Sequence, residues 1–508
     1  MAMAGLLLAT ATAMPIAWSQ PSGLPALGDG ESISLSAERQ LGDRIARELY
    51  RDPDFLEDPV LDAYIQQLWA PLVKAAVARG ELSPELQERF AWRILLGRDR
   101  SVNAFALPGG YLGVHLGLIS VVSSNDELAS VLAHELSHVS QRHIARSIND
   151  QGKMTPWVIG SMILGALAAS KSAQGAQALI VGGQAAAIQS QLSYSRDMER
   201  EADRVGYGIL IDAGYDPQGF VGMFAKLQQA AGLNDSGAFP YLRSHPLTTE
   251  RLADMQARQQ LNTSTTKVPT DMAQAMLAAR ARVLSQNSPD ALKAWTQDAE
   301  KMTGAPPAQR SAALYAATLA HLHMRNMAAA DRTLKALSQW VNPTQQALAA
   351  SLSAPRLLRL LSAEVAFKQD RFDAVLTTLM PVANDPALQR PELMATAQAL
   401  LRLPQHPLQQ DITRQLRRQV QQAPNDAQAW QLLAGLLALQ GQALASLRAE
   451  GEAQIARLDW SGAIDRLRAA QDLARLGRLQ PGEHIEASIV DTRLRHALDS
   501  LRELQIQR

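Results

Sequence analysis

The chain has no cysteine, few aromatic residues and no excess of either charge. The absence of cysteine excludes disulfides, thiolate metal ligands and a cysteine nucleophile. Lysine plus arginine and aspartate plus glutamate both number 49, so we expect no nucleic-acid partner. Aromatic residues make up only 5% of the 508 residues, which suits helices packed on helices. A chain of this length is sufficient for two or three domains.

The first 32 residues have the features of an export signal followed by a linker. Residues 1–19 contain an apolar stretch that ends in Ala17-Trp18-Ser19, a small-x-small pattern typical of a signal-peptide cleavage site. No lysine or arginine precedes this stretch, and an apolar tail on a cytosolic protein is the alternative. We expect residues 1–19 to be a signal peptide and residues 20–32 to be a linker.

Helical and extended patterns alternate up to residue 150. Residues 33–90 carry apolar residues at spacings of three and four, which predicts helices. Extended runs are predicted in FAWRILL and NAFALPGGYLGVHLGLI, with a turn at residues 108–110. Asn125 and Asp126 supply N-cap chemistry for one long helix through ELASVLAHELSHVSQRHIAR.

Residues 155–188 contain two uncharged runs separated by a single lysine. Each run is shorter than the roughly 20 apolar residues of a membrane helix. We interpret the segment as an apolar lid or a buried hairpin. Peripheral membrane contact and a true membrane span are the alternatives.

From about residue 266 the sequence becomes a helical pattern rich in alanine, leucine, glutamine and arginine. Residues 424–427, ahead of Trp430, resemble the turn that opens a tetratricopeptide repeat of about 34 residues. Because the spacing is irregular, we predict a degenerate tetratricopeptide-like array over residues 266–508, with a generic helical bundle as the alternative. The fold is therefore expected to be mainly α-helical.

The stretch HELSH at residues 134–138 has the residue types and spacing of a metal site. His134 and His138 lie at i and i+4, so both imidazoles project from one helix face. Two neutral imidazoles can hold Zn²⁺ and leave positions for a third ligand and a water. Glu135 lies between them, within reach of a water on the same ion. This pattern predicts a zinc hydrolase, although so short a string also occurs by chance.

The third ligand must come from another segment. In zincins with the pattern HExxHxxGxxH, a glycine and the third histidine would stand at positions 141 and 144, but these positions are glutamine and isoleucine here. His143 lies nine residues after His134, about 180° around a continuous helix. It cannot share the metal from that position. We interpret His143 as a solvated or packed histidine.

A second acidic pattern supplies candidates for the third ligand. Glu199 and Asp203 lie at i and i+4 ahead of an apolar helical run. Glu199 would face the zinc, and Asp203 could accept the second N–H of a ligating histidine. Glu201 competes for the ligand role, but it lies about 200° from Glu199 and has no acid four residues later. A surface helix with salt bridges is the alternative interpretation.

Three segments together resemble the M48 family of zinc metallopeptidases, in particular its exported members with C-terminal tetratricopeptide repeats: NDELASVLAHELSHVSQRH, SRDMEREADRVGYGIL and SHPLTTERL. The resemblance is close over residues 35–260 and architectural beyond them. It implies a gluzincin-type metallopeptidase domain at residues 33–265, made of helices and a small β-sheet. The all-α repeat array would follow.

The resemblance also implies the metal ligands. One zinc per chain is expected on His134, His138 and Glu199, with Glu135 as the general base. Asp203 would assist by orienting a ligand. The same resemblance implies that the NAFALPGG segment forms a sheet edge along the substrate cleft, with the residues closest to substrate being Asn103, Ala104 and Gly109.

His245 and Arg251, which follow the predicted helix of Glu199, suggest further hypotheses. His245 precedes Pro246 in a loop and could be a fourth ligand or a gate that closes the zinc site. Alternatively it packs the loop or bonds to the substrate. Arg251 could be an electrostatic anchor near the cleft, but we favour a plain charge on a helix surface.

The leading functional hypothesis is an exported, periplasmic zinc endopeptidase that cleaves unfolded or misassembled protein substrates. The repeats would recruit substrates or envelope assembly machinery, and the apolar segment could contact a membrane peripherally. A chaperone-like scaffold with a capped, rarely active zinc site is the alternative. An integral membrane peptidase is a third hypothesis.

Overall fold

The computed structural model describes residues 33–150, 194–232, 239–260, 271–302, 304–341, 352–380, 388–476 and 483–506. The predicted signal peptide, the predicted linker and the apolar segment 155–188 lie outside these ranges. The predictions about them therefore stay predictions.

Two long helices open the described chain, α1 (Leu35–Arg51) and α2 (Pro59–Ala78). Ser34 and Asp58 are their N-caps, and each side chain accepts a hydrogen bond from a backbone N–H in the first helical turn. A short helix α3 follows at Pro84–Arg89. These elements confirm the helices predicted from apolar spacing.

A four-stranded sheet follows, with strands β1 (Phe55–Leu56), β2 (Arg93–Gly97), β3 (Ala104–Leu107) and β4 (Tyr111–His115). The spatial order is β1-β2-β4-β3, with β2 parallel to β4 and β3 antiparallel to β4. A 3₁₀ turn joins β3 to β4, and Gly109 within it has a φ of 71°. The predicted extended runs are confirmed, but the second ends at His115, where helix α4 (Leu116–Val121) begins.

The single helix predicted through residues 127–146 is wrong, because the chain forms two helices there. Helix α5 (Asn125–Ser140) is capped by Ser124 rather than by Asn125 or Asp126, and helix α6 spans His143–Asp150. Arg142 between them has a φ of 53°, a conformation that interrupts helical hydrogen bonding.

Helix α5 is buried on all sides, and helix α7 (Arg196–Asp212) packs along it. Their backbones approach closely where α7 has no side chain, since a Cβ at Gly206 would lie 3.1 Å from the carbonyl oxygen of Ala133. Helices α8 (Gln218–Gly232), α9 (Tyr241–Ser244) and α10 (Thr249–Gln260) complete this part of the chain. The close approach sets α7 next to the HELSH segment.

The rest of the described chain is helical. Its helices are α11 (Met272–Ser285), α12 (Pro289–Lys301), α13 (Pro307–His323), α14 (Met327–Ser338), α15 (Ala354–Lys368), α16 (Phe372–Leu379), α17 (Arg390–Leu400), α18 (Gln409–Gln422), α19 (Ala427–Leu439), α20 (Ala443–Ala456), α21 (Trp460–Arg475) and α22 (Glu483–Ile506). A mainly α-helical fold with a small sheet is thus confirmed.

Four of these helix connections share one three-residue turn. Its middle residue has a positive φ between 57° and 72°, and the residues are Arg325, Asp370, Gly441 and Leu458. In each turn the next backbone N–H donates to the carbonyl oxygen five residues earlier, at 2.9 Å. This is the Schellman ending of a helix, which directs the chain into the next helix. The turns support helix–turn–helix units, while their assignment as tetratricopeptide repeats stays a prediction.

A buried ion pair joins the N-terminal part to the later helices. Arg280 on α11 donates three hydrogen bonds of 2.6–3.1 Å to the carboxylate of Asp58, the N-cap of α2. Its remaining amino group donates to Glu364 on α15 at 2.9 Å. The guanidinium therefore fixes α2 against two helices of the C-terminal half.

Among the described helices, none combines the length and the apolar character that crossing a membrane would require.

Candidate metal centre

Four side chains from three separate segments converge at the start of α7. Helix α5 provides His134 and His138, α7 provides Glu199, and the loop after α9 provides His245. One donor atom from each lies within 4.8 Å of all the others. The predicted ligands and the predicted fourth residue are therefore brought together.

The donor atoms have the spacing of a coordination shell. The Nε2 atoms of His134 and His138 are 3.0 Å apart, and His245 Nδ1 lies 3.3 Å from His134 Nε2. Glu199 Oε1 lies 3.0 Å from His245 Nδ1 and 3.5 Å from His138 Nε2. Zn–N and Zn–O bonds of about 2.0–2.1 Å give a tetrahedron with edges of roughly 3.3 Å. Three nitrogens and a carboxylate at these separations fit a divalent zinc ion.

Glu135 is fully buried beside this cluster, with a relative exposure of 0%. Among the described residues, neither of its carboxylate oxygens has a hydrogen-bond partner. His245 lies next to it, with Nε2 3.4 Å from Oε1 of Glu135. A buried carboxylate without partners is costly, which makes Glu135 a candidate for a chemical role beside the cluster.

Asp203 lies against the ring of His134, one of the two histidines that the i, i+4 spacing predicted it could orient. Its Oδ1 lies 3.0 Å from His134 Nδ1, so the other ring nitrogen, Nε2, faces the cluster. Arg251 pairs with the same carboxylate in two hydrogen bonds of 2.6 and 2.8 Å. It also contacts Glu199 Oε2 at 2.7 Å.

The interpretation of Arg251 as a helix-surface charge is wrong. Its relative exposure is 4%, because α10 packs with this face toward α7. The cation balances the two carboxylates of the centre, and a buried pair of acids needs such a partner. Only the packing of α10 against the site reveals this, since the sequence spacing alone permits an exposed arginine.

Charge in the centre is set by burial and by close neighbours. Burial would raise the pKa of Glu199, but His245 and His134 outweigh this effect and hold the pKa well below its usual value. Burial and the neighbouring His134 lower the pKa of His138 well below its usual value. Burial opposes the charged form of His134 also, yet Asp203 and Glu199 raise its pKa to about 9. Because zinc binds ionised carboxylates and neutral imidazoles, the pKa directions of Glu199 and His138 favour binding, and His134 would release a proton when an ion binds.

His143 and Glu201 lie outside the four-residue cluster but next to it. His143 is fully buried rather than solvated, and its Nδ1 lies 2.9 Å from Nδ1 of His138. Its Nε2 lies 3.1 Å from Glu201 Oε2. The prediction of a position on the opposite helix face is wrong because the helix breaks at Arg142. Glu201 does not join the donor cluster, in agreement with the preference for Glu199.

The predicted substrate residues lie along and beyond β3. Asn103 precedes the strand, is buried, and its carbonyl oxygen accepts from the N–H of His115. Ala104 begins the strand, which is an edge of the sheet and packs against α5. Gly109 contacts α1 instead, since a Cβ there would lie 2.8 Å from the Cα of Arg39. For Gly109 the structure therefore supplies a steric reason for glycine that is independent of substrate.

Two tyrosines, which the sequence reasoning missed, hold the loop that carries His245. The ring of Tyr241 stacks on His245 at 4.4 Å, and its N–H donates to the carbonyl oxygen of Val102 at 3.4 Å. Tyr194 stacks on His138 at 3.8 Å, and its N–H donates to Ser244. The sequence offered one signal for each residue: Tyr194 lies just before α7, and Tyr241 lies four residues before His245.

Comparison with known proteins agrees with this geometry. The pattern of peptidase family M48 matches residues 62–259. The chain is 30% identical over 501 residues to the β-barrel assembly-enhancing protease of Escherichia coli K12, covering 95% of this chain and 92% of that protein. This chain belongs to peptidase family M48. The β-barrel assembly-enhancing protease of Yersinia pestis is 29% identical over 475 residues, covering 91% and 90% of the two chains. The mitochondrial metalloendopeptidase OMA1 of Arabidopsis thaliana is 33% identical over 198 residues, or 38% of this chain and 36% of that protein.

Family membership identifies the chain as a metallopeptidase that hydrolyses peptide bonds. The family match spans all four donor residues and Glu135. The metal dependence of this family and the buried donor cluster agree with each other.

Proposed function

We propose that this chain is a zinc-dependent endopeptidase of the cell envelope that cleaves unfolded or misassembled proteins, and that His245 closes its site at rest. The observation that carries the proposal is the convergence of three nitrogens and one carboxylate around a buried, unpartnered Glu135. Zinc is favoured over harder ions, because imidazole-rich tetrahedral sets suit it best.

Zinc, when bound, supplies a Lewis acid that polarises the scissile carbonyl and acidifies a water. Glu135 accepts the proton of the attacking water at a carboxylate oxygen and passes it to the leaving amine nitrogen. The burial of Glu135 keeps competing solvent away from this proton transfer. Asp203 orients the ring of His134, and Arg251 keeps the carboxylates of Asp203 and Glu199 ionised.

An extended substrate would pair with the edge strand β3, which runs beside α5. Backbone pairing is independent of side chains, so it predicts broad sequence tolerance. Folded proteins cannot present a free extended segment, and unfolded chains should therefore be cleaved better. Asn103 and Ala104, at the start of β3, are the candidate substrate contacts.

The position of His245 supports the proposal of a closed site, because its ring lies where we expect the attacking water. Its ring fills the space between His134, Glu199 and Glu135, and it is only 2% exposed. The loop that carries it is tied to Val102 through Tyr241, directly before β3. Movement of this loop would remove His245 from the donor cluster.

The decisive experiment compares cleavage of an unfolded, labelled protein by zinc-loaded wild type and three variants. Glu135→Gln is the blank, because it removes the proton acceptor. His245→Ala is expected to cut at least tenfold faster than wild type if the histidine blocks the site. His484→Ala is the matched control, since His484 is an exposed histidine far along the chain, on α22.

The other outcomes separate the hypotheses. If wild type cuts and His245→Ala cuts more slowly, His245 assists the substrate and the closed-site proposal fails. If neither exceeds the blank, the chaperone-like scaffold becomes the better hypothesis. The complete burial of the donor cluster is the observation that keeps this second function in view.

The envelope location and the partners are proposals of their own. The apolar leader at residues 1–19 supports export, and the relatives' name refers to β-barrel assembly. Helix–turn–helix units such as those described here commonly present binding surfaces for other proteins, so recruitment of substrates or assembly machinery is a natural role. Fractionation and N-terminal sequencing of the mature protein test the export proposal, and retention of residues 1–19 would contradict it.

A further inference from the structure

We propose that His143 and Glu201 form a relay that fixes the ligand form of His138. This inference rests on the proposed metal centre, since it concerns how tightly that centre holds its ion. Both are positioning residues: they act through His138 and touch neither substrate nor metal.

The helix break places His143 against the back of His138. Arg142 adopts its positive φ while its guanidinium donates to Glu38 Oε2 at 3.0 Å and to the carbonyl oxygen of Ile33 at 2.6 Å. The chain thus restarts as α6 at His143, whose ring turns back under α5. In an unbroken helix this ring would lie on the opposite face.

Metal binding at the cluster selects one set of proton positions. As a ligand His138 would use Nε2, which lies 3.0 Å from Nε2 of His134 and 3.5 Å from Glu199 Oε1, so this atom would carry no proton. A neutral ring with free Nε2 carries its proton on Nδ1. The Nδ1 atoms of His138 and His143 are 2.9 Å apart, so His138 donates and His143 accepts.

His143 in turn donates to Glu201. Because Nδ1 of His143 accepts, its proton lies on Nε2, which donates to Glu201 Oε2 at 3.1 Å. Arg146 contacts the same oxygen at 2.7 Å and favours the ionised carboxylate. The series of hydrogen bonds from His138 through His143 therefore ends at the carboxylate of Glu201, which acts as an acceptor and so favours both donations.

The two histidine ligands are thus oriented in different ways. His134 contacts the carboxylate of Asp203 directly, at 3.0 Å from Nδ1, whereas His138 reaches its carboxylate through a second imidazole. Partners of this kind fix the ring orientation and raise ligand basicity, and their loss typically weakens metal affinity by about 10–100-fold. Zinc retention should consequently depend on His143 even though it is not a ligand.

The test measures zinc affinity at one fixed pH by competition with a chromophoric chelator. His143→Leu is expected to lose about 10–100-fold in affinity. His143→Asn keeps an acceptor near the Nδ1 position and should recover most of this loss. Visible absorption of the Co²⁺-substituted proteins should report altered ligand geometry in His143→Leu alone.

Glu201→Ala provides a second route that leaves the buried ring in place. It should weaken zinc binding severalfold, whereas its matched control Glu85→Ala, which removes an exposed glutamate paired with Arg89 on α3, should stay near wild type. Melting temperatures of the metal-free proteins separate positioning from folding. The relay is positioning if affinity falls while these temperatures stay close to wild type.

Three results would overturn the inference. Wild-type affinity in His143→Leu would do so, as would an equal loss in His143→Leu and His143→Asn. A loss that only follows the stability of the metal-free protein would do so as well. If wild type itself binds no zinc, the metal centre of the proposed function fails first, and that result is distinguishable from all three.

Discussion

The sharpest stability prediction concerns the buried ion pair between Arg280 and Asp58. Arg280→Met keeps the bulk of the side chain but removes its charge. It leaves the carboxylate of Asp58, about 8% exposed, without its cation, while Glu364 is 32% exposed and can be hydrated. Removing one partner of a buried pair costs about 3–5 kcal/mol. We expect a loss near the middle of that range, because only one of the two acids stays buried.

A double-mutant cycle separates the charge from its other roles. Asp58→Asn keeps the cap on α2, since asparagine is also a good N-cap, and leaves Arg280 paired with Glu364. The double variant Asp58→Asn/Arg280→Met should be more stable than Arg280→Met alone, because the uncompensated charge is gone. Urea unfolding followed by circular dichroism, with the m-value as a check on cooperativity, measures the three differences.

The same pair predicts a pH dependence with a defined sign. Burial would raise the pKa of Asp58, but the charge and hydrogen bonds of Arg280 lower it below its ordinary value of 3.8. A lowered folded pKa contributes stability above the unfolded pKa, and this contribution is lost as the pH falls below about 4. The Asp58→Asn variant should lack this acid-dependent part. A cost below about 1 kcal/mol for Arg280→Met, or an additive cycle, would refute the reasoning.

Three further outcomes are expected. Gly109→Ala should destabilise the protein by about 2 kcal/mol or more, because a φ of 71° is strained for alanine and the new Cβ would meet the backbone of α1. Gly80→Ala, with a φ of 74° but open space around the Cβ, should cost about 1 kcal/mol. Equal losses in thermal unfolding would contradict this. Arg251→Met should lower the free energy of unfolding by about 3–5 kcal/mol, because the arginine is buried between two acids. Arg258→Met, which breaks a partly exposed i, i+4 pair, should lower it by less than about 0.5 kcal/mol. Comparable melting temperatures of the two variants would disprove the burial argument. Chelation of the metal should lower the melting temperature reversibly, since an ion at 100 times its dissociation constant adds about 2.7 kcal/mol; an unchanged melting curve would argue against a filled site.

Periodicity and motif spacing predict many of the residues in the candidate site. The i, i+4 pair of histidines, the intervening glutamate and the later Glu199 and Asp203 follow from helix geometry, which is a local property. Their convergence in the structure was predictable because one metal needs donors from both helices. His245 was predictable only as a hypothesis, because a loop position has no periodic signal.

The two wrong predictions, an unbroken helix through residues 127–146 and an exposed Arg251, have a common physical cause. The helix containing His134 was extended through His143, because a local pattern does not reveal a backbone turn that is stabilised by distant residues such as Glu38 and Ile33. Arg251 was placed on the surface for the same reason, since its burial depends on how α10 packs. Both errors concern contacts between residues far apart in sequence.

The sequence by itself therefore determined the helical character, the turn at residues 108–110 and the residues able to bind a metal, because hydrogen-bonding period and side-chain chemistry are local. The tertiary structure alone decided that His245 lies within the donor cluster, that His138 reaches Glu201 through His143, and that Arg251 pairs with two acids. Those features depend on distances between segments, which are set by the packing of the whole core.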